Sequence, residues 1–358
     1  MFTLYGALAG LSLAALLAVS FLALRKKGVG YDAFIRFSAL AIPFAFLGSR
    51  IAFCLSNTAY YLETIGDASL MLHVLDGGAS MTGAMIGVIL AALIAAKWCK
   101  LPVGTMLDAA AFGMPAALVI ERLAEPLCEM GWGKYYQSTA FNFISDLTQG
   151  MHPVFAYEAI VAAIIGVVMI VYFCKHKAQN GDALGFFLVL YGCTQTVLES
   201  LRNDGHMKVI HFVRINQVAA IAMAAIVLIL WSIRCFKRGG NREALVSWLL
   251  TAVCIGFGVV QEFAADGDEN PYFSLTLVSG LLAAALVIVC VAWFFTWKKH
   301  GKSAAVIPCV AVAASLALLI ERTIDTGDHR LFFVYGIMAA NLYIIGHMAF
   351  ALRKAAEE

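Results

Sequence analysis

The sequence has little charge for its length. Only 13% of its 358 residues are Asp, Glu, Lys or Arg, and 62% are hydrophobic, whereas an ordinary soluble domain is about a quarter charged. This composition excludes a soluble enzyme, a disordered linker protein and a secreted disulfide scaffold, and it indicates a polytopic membrane protein. The formal net charge of +2 comes from short basic clusters between apolar runs. It therefore gives no reason to expect a nucleic-acid partner.

Paired cysteine motifs are also lacking. The nine cysteines include no C-x-x-C pair, so the sequence predicts neither a zinc site nor a disulfide framework. Most of them lie inside apolar runs, where a free cysteine behaves as a small hydrophobic residue. We expect no metal and no cofactor.

Long apolar runs fill most of the chain. A membrane-spanning helix needs roughly 20 mostly apolar residues, and the sequence predicts an all-α membrane protein of about eleven transmembrane helices. The runs fall near residues 3–24, 33–55, 79–98, 105–124, 153–174, 183–202, 212–234, 244–262, 273–297, 303–321 and 331–352.

Basic residues concentrate in alternate connections, beginning with the cluster at residues 25–27, and the intervening connections are acidic or mixed. Cytoplasmic loops carry the excess of Lys and Arg, so this pattern predicts an N-out and C-in topology. The basic cluster follows the first run instead of preceding it, which favours an uncleaved helix over a signal peptide.

A basic, glycine-containing segment at residues 238–243 separates two parts of different character. The helices before it contain ionisable residues, whereas the four predicted helices after it carry charges only near their ends. The sequence thus predicts a seven-helix body at residues 1–237, a linker at 238–243 and a four-helix extension of unknown role at 244–358.

The body contains several charged residues within its apolar runs. A charged side chain at the centre of a membrane helix costs about 2.5–3.5 kcal/mol on insertion scales, which makes each one a candidate functional residue. They are Arg50, Asp108, Glu121, Arg122, Glu158, Glu199 and Arg202.

The sixth run carries a polar stripe. Tyr191, Gln195, Glu199 and Arg202 are spaced i, i+4, i+8 and i+11, which places them on one face of a helix. Such a face must point into a bundle interior or a water-filled cleft. A Glu199–Arg202 ion pair that only fixes packing is the structural alternative.

Two other features have structural interpretations. Glu158 follows the His152-Pro153 pair and could pair with Arg122 or Arg50. The Gly83-x-x-x-Gly87 pattern of the third run favours close helix packing.

Arginine side chains in a membrane cleft are suited to binding a phosphate group. The permanent charge and planar fork of arginine match a phosphate, and the phosphate expected at that depth belongs to a phospholipid head group. The residues therefore predict a head-group site among the second, fourth and sixth helices. They leave open a transferase, a flippase and structural lipid binding.

Several motifs, in order along residues 1 to about 236, resemble the prolipoprotein diacylglyceryl transferase family. They are Tyr5-Gly6, the Gly48-Ser49-Arg50 segment, the box from Asp76 to Gly87, Asp108, the segment from Arg122 to Lys134, His152-Pro153 with Tyr157-Glu158, Tyr191-Gly192 with Glu199, Arg202-x-Asp204, and Gln217. The resemblance implies a bacterial cytoplasmic (inner) membrane enzyme that moves diacylglycerol from phosphatidylglycerol to a lipobox cysteine.

The departures from the family pattern lie in its polar centre. Thr82 stands where the family has His, and Gln195 where it has Arg. Glu121, Glu125 and Cys128 replace a Gly and two Asn residues. Thr82 cannot act as a base near neutral pH as His could, which leaves Glu125 as a candidate replacement. The histidines at 73, 152, 206 and 211 could also substitute, although a loop histidine is ordinarily exposed.

These observations give a set of expected site residues. The expected catalytic residues are Glu125 as base, with Tyr191 and Glu199 shaping the cleft. The expected substrate- or phosphate-binding residues are Arg122, Arg202, Arg50, Tyr5, Gln195, Thr82 and Glu158.

The leading interpretation is a divergent transferase acting on phosphatidylglycerol or another anionic phospholipid, with a prolipoprotein signal peptide as second substrate. The alternative is a family member that has lost catalysis and binds lipid or a membrane partner through the same cleft. Thr82 and Gln195 favour loss or change of activity, and the retained charges favour activity.

Overall fold

A computed structural model describes the body of the chain. The described residues are 4–58, 60–73, 78–133, 150–175, 181–203, 209–210, 213–242, 244–249, 251–252, 256, 345, 348–349 and 352–353. Asp76, Lys134, Asp204, His206 and His211 lie outside them, as do the ninth and tenth predicted runs and most of the eighth and eleventh.

Seven helices among the described residues are long and apolar enough to cross a membrane. They agree within a few residues with the first seven predicted runs, so the chain is a multi-pass helical membrane protein. The helices are α1 (Leu4–Lys26), α2 (Tyr31–Ser56), α3 (Met81–Trp98), α4 (Val103–Ala124), α5 (Val154–Lys175), α6 (Asp182–Leu201) and α7 (Ile215–Lys237).

Short elements join these helices. A π-helical turn (Tyr60–Ile65) and a 3-10 helix (Ala68–Leu72) lie between α2 and α3, and a second 3-10 helix (Glu125–Cys128) continues α4. Before α7, β1 (Val209–Ile210) pairs with β2 (Val213–Arg214) in an antiparallel hairpin. The fold is otherwise helical in the part that the structure describes.

The chain divides into two compact units. The first comprises residues up to 133, 153–191 and 202–219, and the second includes 192–201 and the chain from 220 onward. Within the first unit, α2 packs along α3, α1 packs along α4, and α4 also contacts α3 and α5.

Glycines bring α2 and α3 into close contact. A Cβ atom added at Gly48 would lie 2.5 Å from the carbonyl oxygen of Gly83, and one added at Gly87 would collide with the carbonyl of Phe44. Small residues allow helix backbones to approach in this way. The predicted packing role of Gly83 and Gly87 is confirmed.

Asp108 fixes the beginning of α6. Its buried carboxylate contacts Lys27 Nζ at 2.9 Å and accepts hydrogen bonds from the backbone amides of Gly181, Ala183 and Leu184 at 3.0–3.4 Å. The first amides of a helix have no partner within it, so this carboxylate from α4 caps α6. The cap therefore fixes the first turn of α6 against α4.

Candidate functional site

Two arginines and two glutamates form a closed ring inside the first unit. Arg122 ends α4, Glu125 begins the 3-10 helix that follows, Glu158 lies in α5, and Arg202 directly follows α6. Arg202 donates from Nη2 to Glu125 Oε2 at 2.9 Å and from Nη1 to Glu158 Oε2 at 2.6 Å. Arg122 contacts Glu158 Oε2 through Nε at 3.1 Å and donates from Nη1 to Glu125 Oε1. Each arginine thus binds both carboxylates.

The ring is almost completely buried. Arg202 is 1% exposed, Glu158 3%, Arg122 7% and Glu125 9%. Unpaired charges at such depth would be strongly unfavourable, and their mutual attraction compensates for lost hydration only with good geometry. Alternation of two positive and two negative groups supplies that geometry. Of the two partners considered for Glu158, Arg122 and Arg50, the structure shows a contact with Arg122.

Gly131 leaves room for the Glu125 carboxylate. The chain turns back after the 3-10 helix through Glu129, with φ of 58°, and Gly131, with φ of 83°. A Cβ atom at Gly131 would lie 2.7 Å both from Glu125 Oε2 and from the Cβ of Phe155. Only glycine satisfies both the backbone conformation and the space.

The backbone of Arg202 is anchored on three sides. Arg202 pairs with Gly133 in an isolated bridge, and the amide of Asn203 donates to the carbonyl of Trp132 at 3.0 Å. The guanidinium of Arg214 donates to the carbonyl of Arg202. These bonds hold the Arg202 side chain against the two carboxylates.

Tyrosines and a third carboxylate adjoin the ring. Arg122 Nη2 lies 3.5 Å from the hydroxyl of Tyr191, and the hydroxyl of Tyr5 donates to Glu121 Oε1 at 3.1 Å. The other oxygen of Glu121, Oε2, is buried and has no hydrogen-bond partner among the described residues. The sequence identifies Glu121 as a candidate functional residue because it is charged and lies in an apolar run, but it was not among the expected site residues.

The polar stripe of α6 is buried, as predicted. Tyr191 and Gln195 are each 5% exposed, Glu199 is fully buried, and Arg202 lies just past the last helical residue. In the second unit, Gln195 Nε2 donates to Glu199 Oε2 at 3.3 Å. These two residues therefore form their own hydrogen-bonded pair.

Arg50 binds backbone carbonyls. Its guanidinium donates to the carbonyl oxygens of Leu70, Met71, His73 and Gly78 at 2.9–3.3 Å. These bonds tie α2 to the chain that leads into α3. These contacts of Arg50 therefore stabilise the segment between α2 and α3.

Thr82 lies half-buried in the first turn of α3, where Ser80 caps the helix by accepting from the amide of Gly83. His73 is exposed, as expected for a loop histidine, but the same expectation is wrong for His152, which is 3% exposed. Burial lowers the pKa of His152 below its usual value, because the charged imidazolium loses hydration.

The arrangement is suited to holding an anion. In the described part of the chain, no group of three or more His, Cys, Asp or Glu side chains is placed to hold a metal ion. Two arginine forks meet in one buried cluster, and such forks match phosphate oxygens. The partners of both arginines in the ring are the carboxylates of Glu125 and Glu158.

Comparison with known proteins agrees with these features. The sequence profile of the prolipoprotein diacylglyceryl transferase family matches residues 2–233, a range that includes all seven helices up to the last turn of α7.

Among similar proteins, the phosphatidylglycerol–prolipoprotein diacylglyceryl transferase of Clostridioides difficile (strain 630) is 28% identical over 190 residues, covering 51% of this chain and 71% of the relative. The protein of the same name from Streptococcus pyogenes serotype M3 is 28% identical over 214 residues, covering 57% and 80%. That from Clostridium novyi (strain NT) is 24% identical over 219 residues, covering 56% and 79%.

Proposed function

This chain belongs to the prolipoprotein diacylglyceryl transferase family, and on that premise we propose that it transfers a diacylglyceryl group from phosphatidylglycerol to the thiol of a prolipoprotein cysteine. The observation that carries the proposal is the buried ring of Arg122, Glu125, Glu158 and Arg202. Two arginine forks in one buried cluster supply the fixed positive charge that binding a lipid phosphate requires.

The reaction that the family name implies is a displacement. The cysteine sulfur attacks the glycerol carbon that bears the phosphate, a carbon–sulfur bond forms, and the carbon–oxygen bond to the phosphate breaks. The bonding electrons leave with glycerol phosphate, whose negative charge grows during the step. Fixed positive groups at that phosphate stabilise the transition state.

Arg122 and Arg202 supply these positive groups in our proposal. A phosphate that enters the ring replaces carboxylate oxygens as the acceptor of the arginine N–H groups. Glu125 and Glu158 then act as counter-ions that keep both arginines extended and oriented before the lipid binds. Tyr191 lies beside Arg122, so in our proposal its hydroxyl contacts the same phosphate. The other residues that the sequence predicts for the substrate site are Glu199, Gln195, Arg50, Tyr5 and Thr82.

We place the site at the outer side of a bacterial cytoplasmic membrane. The alternation of basic loops supports an N-out and C-in topology with about eleven helices. The apolar character of residues 244–358 supports a separate extension after the body at 1–237 and the linker at 238–243. A reporter fused after Glu358 should then report cytoplasm, and one inserted near Asp268 should report the outside.

The test is direct detection of the product. Full-length protein in nanodiscs containing phosphatidylglycerol is incubated with a lipobox peptide, and the peptide is analysed by mass spectrometry. We expect a peptide heavier by one diacylglyceryl group and release of glycerol phosphate. A peptide with Ser in place of the lipobox Cys should stay unmodified.

Two arginine variants provide the matched comparison. Arg202→Lys keeps the charge but loses the fork, so we expect transfer to fall at least about tenfold. Arg238→Lys, at an exposed position after α7, should transfer at the normal rate. Unmodified peptide with the unaltered chain, while phosphatidylglycerol still binds, would favour the alternative of a lipid-binding protein without transferase activity.

A further inference from the structure

The proposed reaction needs a group that accepts the thiol proton. The thiolate and not the thiol is the nucleophile, and a free cysteine has a pKa of about 8.5. A base close to the sulfur therefore speeds the reaction at neutral pH. Thr82, at the position where the resemblance predicts His, cannot take a proton in that range.

Two of the three carboxylates at the ring are fully engaged. Glu125 binds Arg122 through Oε1 and Arg202 through Oε2, and Glu158 Oε2 receives bonds from both arginines. When a phosphate replaces their oxygens as acceptor, both carboxylates still lie beside the two guanidinium groups. That positive charge favours the ionised form of a carboxyl group, so both glutamates are weak bases.

Glu121 differs from both in its bonding. Its Oε1 accepts a neutral hydrogen bond from the Tyr5 hydroxyl at 3.1 Å, and its Oε2 is buried without a hydrogen-bond partner among the described residues. Burying a polar atom without a hydrogen bond is unfavourable, so an oxygen in this state indicates a missing partner. Glu121 also interacts electrostatically with Arg122, Glu125 and Arg202, which places its carboxylate close to the ring.

Cys128 lies close to Glu121, at the exposed end of the 3-10 helix that follows α4. It is an exposed free thiol at the end of the 3-10 helix, and its electrostatic neighbours are Glu121 and Glu125. We therefore expect the lipobox cysteine of a substrate to approach Glu121 from this exposed end of α4.

We propose that Glu121 is the catalytic base of this chain, an inference that rests on the transferase function proposed above. Oε2 takes the proton of the substrate thiol, and the electron pair left on sulfur forms the bond to the glycerol carbon. The carbon–oxygen bond to phosphate breaks, and its electrons stay on the phosphate oxygen. Glu121 then gives the proton to the departing glycerol phosphate and returns to a carboxylate. Tyr5 orients Glu121 through Oε1.

The test compares Glu121→Gln with the unaltered chain in the nanodisc transfer assay across pH. Glutamine keeps the volume and the acceptor for Tyr5 but cannot take a proton. At pH 7 we expect the single-turnover rate to fall about 100-fold or more, with the KM for phosphatidylglycerol unchanged. Below the pKa of the peptide thiol, the remaining rate should rise about tenfold per pH unit, because only spontaneously formed thiolate reacts.

Two further variants separate catalysis from structure. Glu121→Asp retains a carboxylate and should recover part of the rate with the pH profile of the unaltered chain. Glu129→Gln, at an exposed position four residues after Glu125, should change neither rate nor profile.

The outcomes distinguish the two proposals. If the unaltered chain transfers diacylglycerol and Glu121→Gln matches its rate and pH profile, Glu121 is not the base and the transferase function stands. If the unaltered chain itself makes no product, the proposed function fails and the inference fails with it.

Discussion

Arg202 donates to Glu158 Oε2 across 2.6 Å, between two side chains that are 1% and 3% exposed. Arg122 contacts the same oxygen at 3.1 Å. One carboxylate oxygen thus accepts charge-assisted bonds from two arginines, and such bonds are stronger than neutral ones. The same two arginines are the groups that we propose to bind the lipid phosphate.

Removing the charge of Glu158 should destabilise the protein. In Glu158→Gln, both arginines lose the charge of the carboxylate that they share, and breaking a buried ion pair costs about 3–5 kcal/mol. Thermal unfolding in lipid-free detergent should show a clear decrease in melting temperature. Glu129→Gln, where the carboxylate is exposed, serves as control and should melt normally. Equal melting of the two variants would mean that the ring contributes nothing to folding.

Gly131→Ala should displace the Glu125 carboxylate, in addition to straining the backbone at residue 131. Gly131→Ala places a Cβ atom 2.7 Å from Glu125 Oε2 at a φ of 83°, so the carboxylate must move away from Arg202. Gly28→Ala introduces similar strain at a φ of 75° with open space around it. We expect both variants to lose some stability, and Gly131→Ala alone to lose transfer activity. If both variants keep full transfer activity, the reaction does not depend on the position of the Glu125 carboxylate.

The stability of the protein should decrease in mild acid through His152. Burial lowers the pKa of this histidine in the folded protein, whereas the unfolded chain has the usual pKa of about 6.5. The unfolded state therefore binds more protons at acidic pH. The stabilisation is complete above the unfolded pKa and is lost as pH falls from there through the folded pKa.

His152→Gln should remove part of this pH dependence. Melting temperatures at pH 8 and pH 5.5 should differ less in His152→Gln than in the unaltered chain. His73→Gln, at an exposed histidine, should leave the difference unchanged. If His152→Gln shows the full pH dependence, other groups are responsible for it.

Much of the fold was predictable from the sequence because each membrane helix must satisfy its own backbone polar groups within a long apolar run. The seven described spans, the close packing at Gly83 and Gly87 and the buried stripe on α6 all follow from local patterns. The contact of Arg202 with Glu125 does not, because these residues are 77 positions apart and no periodicity connects them.

The sequence was least informative about the partners of individual polar side chains. Arg50 and Arg122 are both charged residues within apolar runs. In the structure, however, the Arg50 guanidinium donates to four backbone carbonyls, whereas Arg122 binds carboxylates. The short helices between α2 and α3 create those acceptors, and their geometry depends on tertiary packing. The expectation of exposure failed for His152 for the same reason, since burial of a loop depends on the elements that cover it.

We propose that a lipid phosphate replaces a carboxylate at Arg122 and Arg202. The most direct test is the increase in melting temperature that phosphatidylglycerol gives to Glu125→Gln. Melting temperatures are measured with and without phosphatidylglycerol in detergent, with Arg202→Lys in parallel. We expect Glu125→Gln to melt lower than the unaltered chain without lipid, because the ring lacks one negative charge, and to gain more from phosphatidylglycerol, because no carboxylate competes at that position. Arg202→Lys should gain less than the unaltered chain. An equal gain in all three proteins would contradict the assignment of the ring to the lipid phosphate.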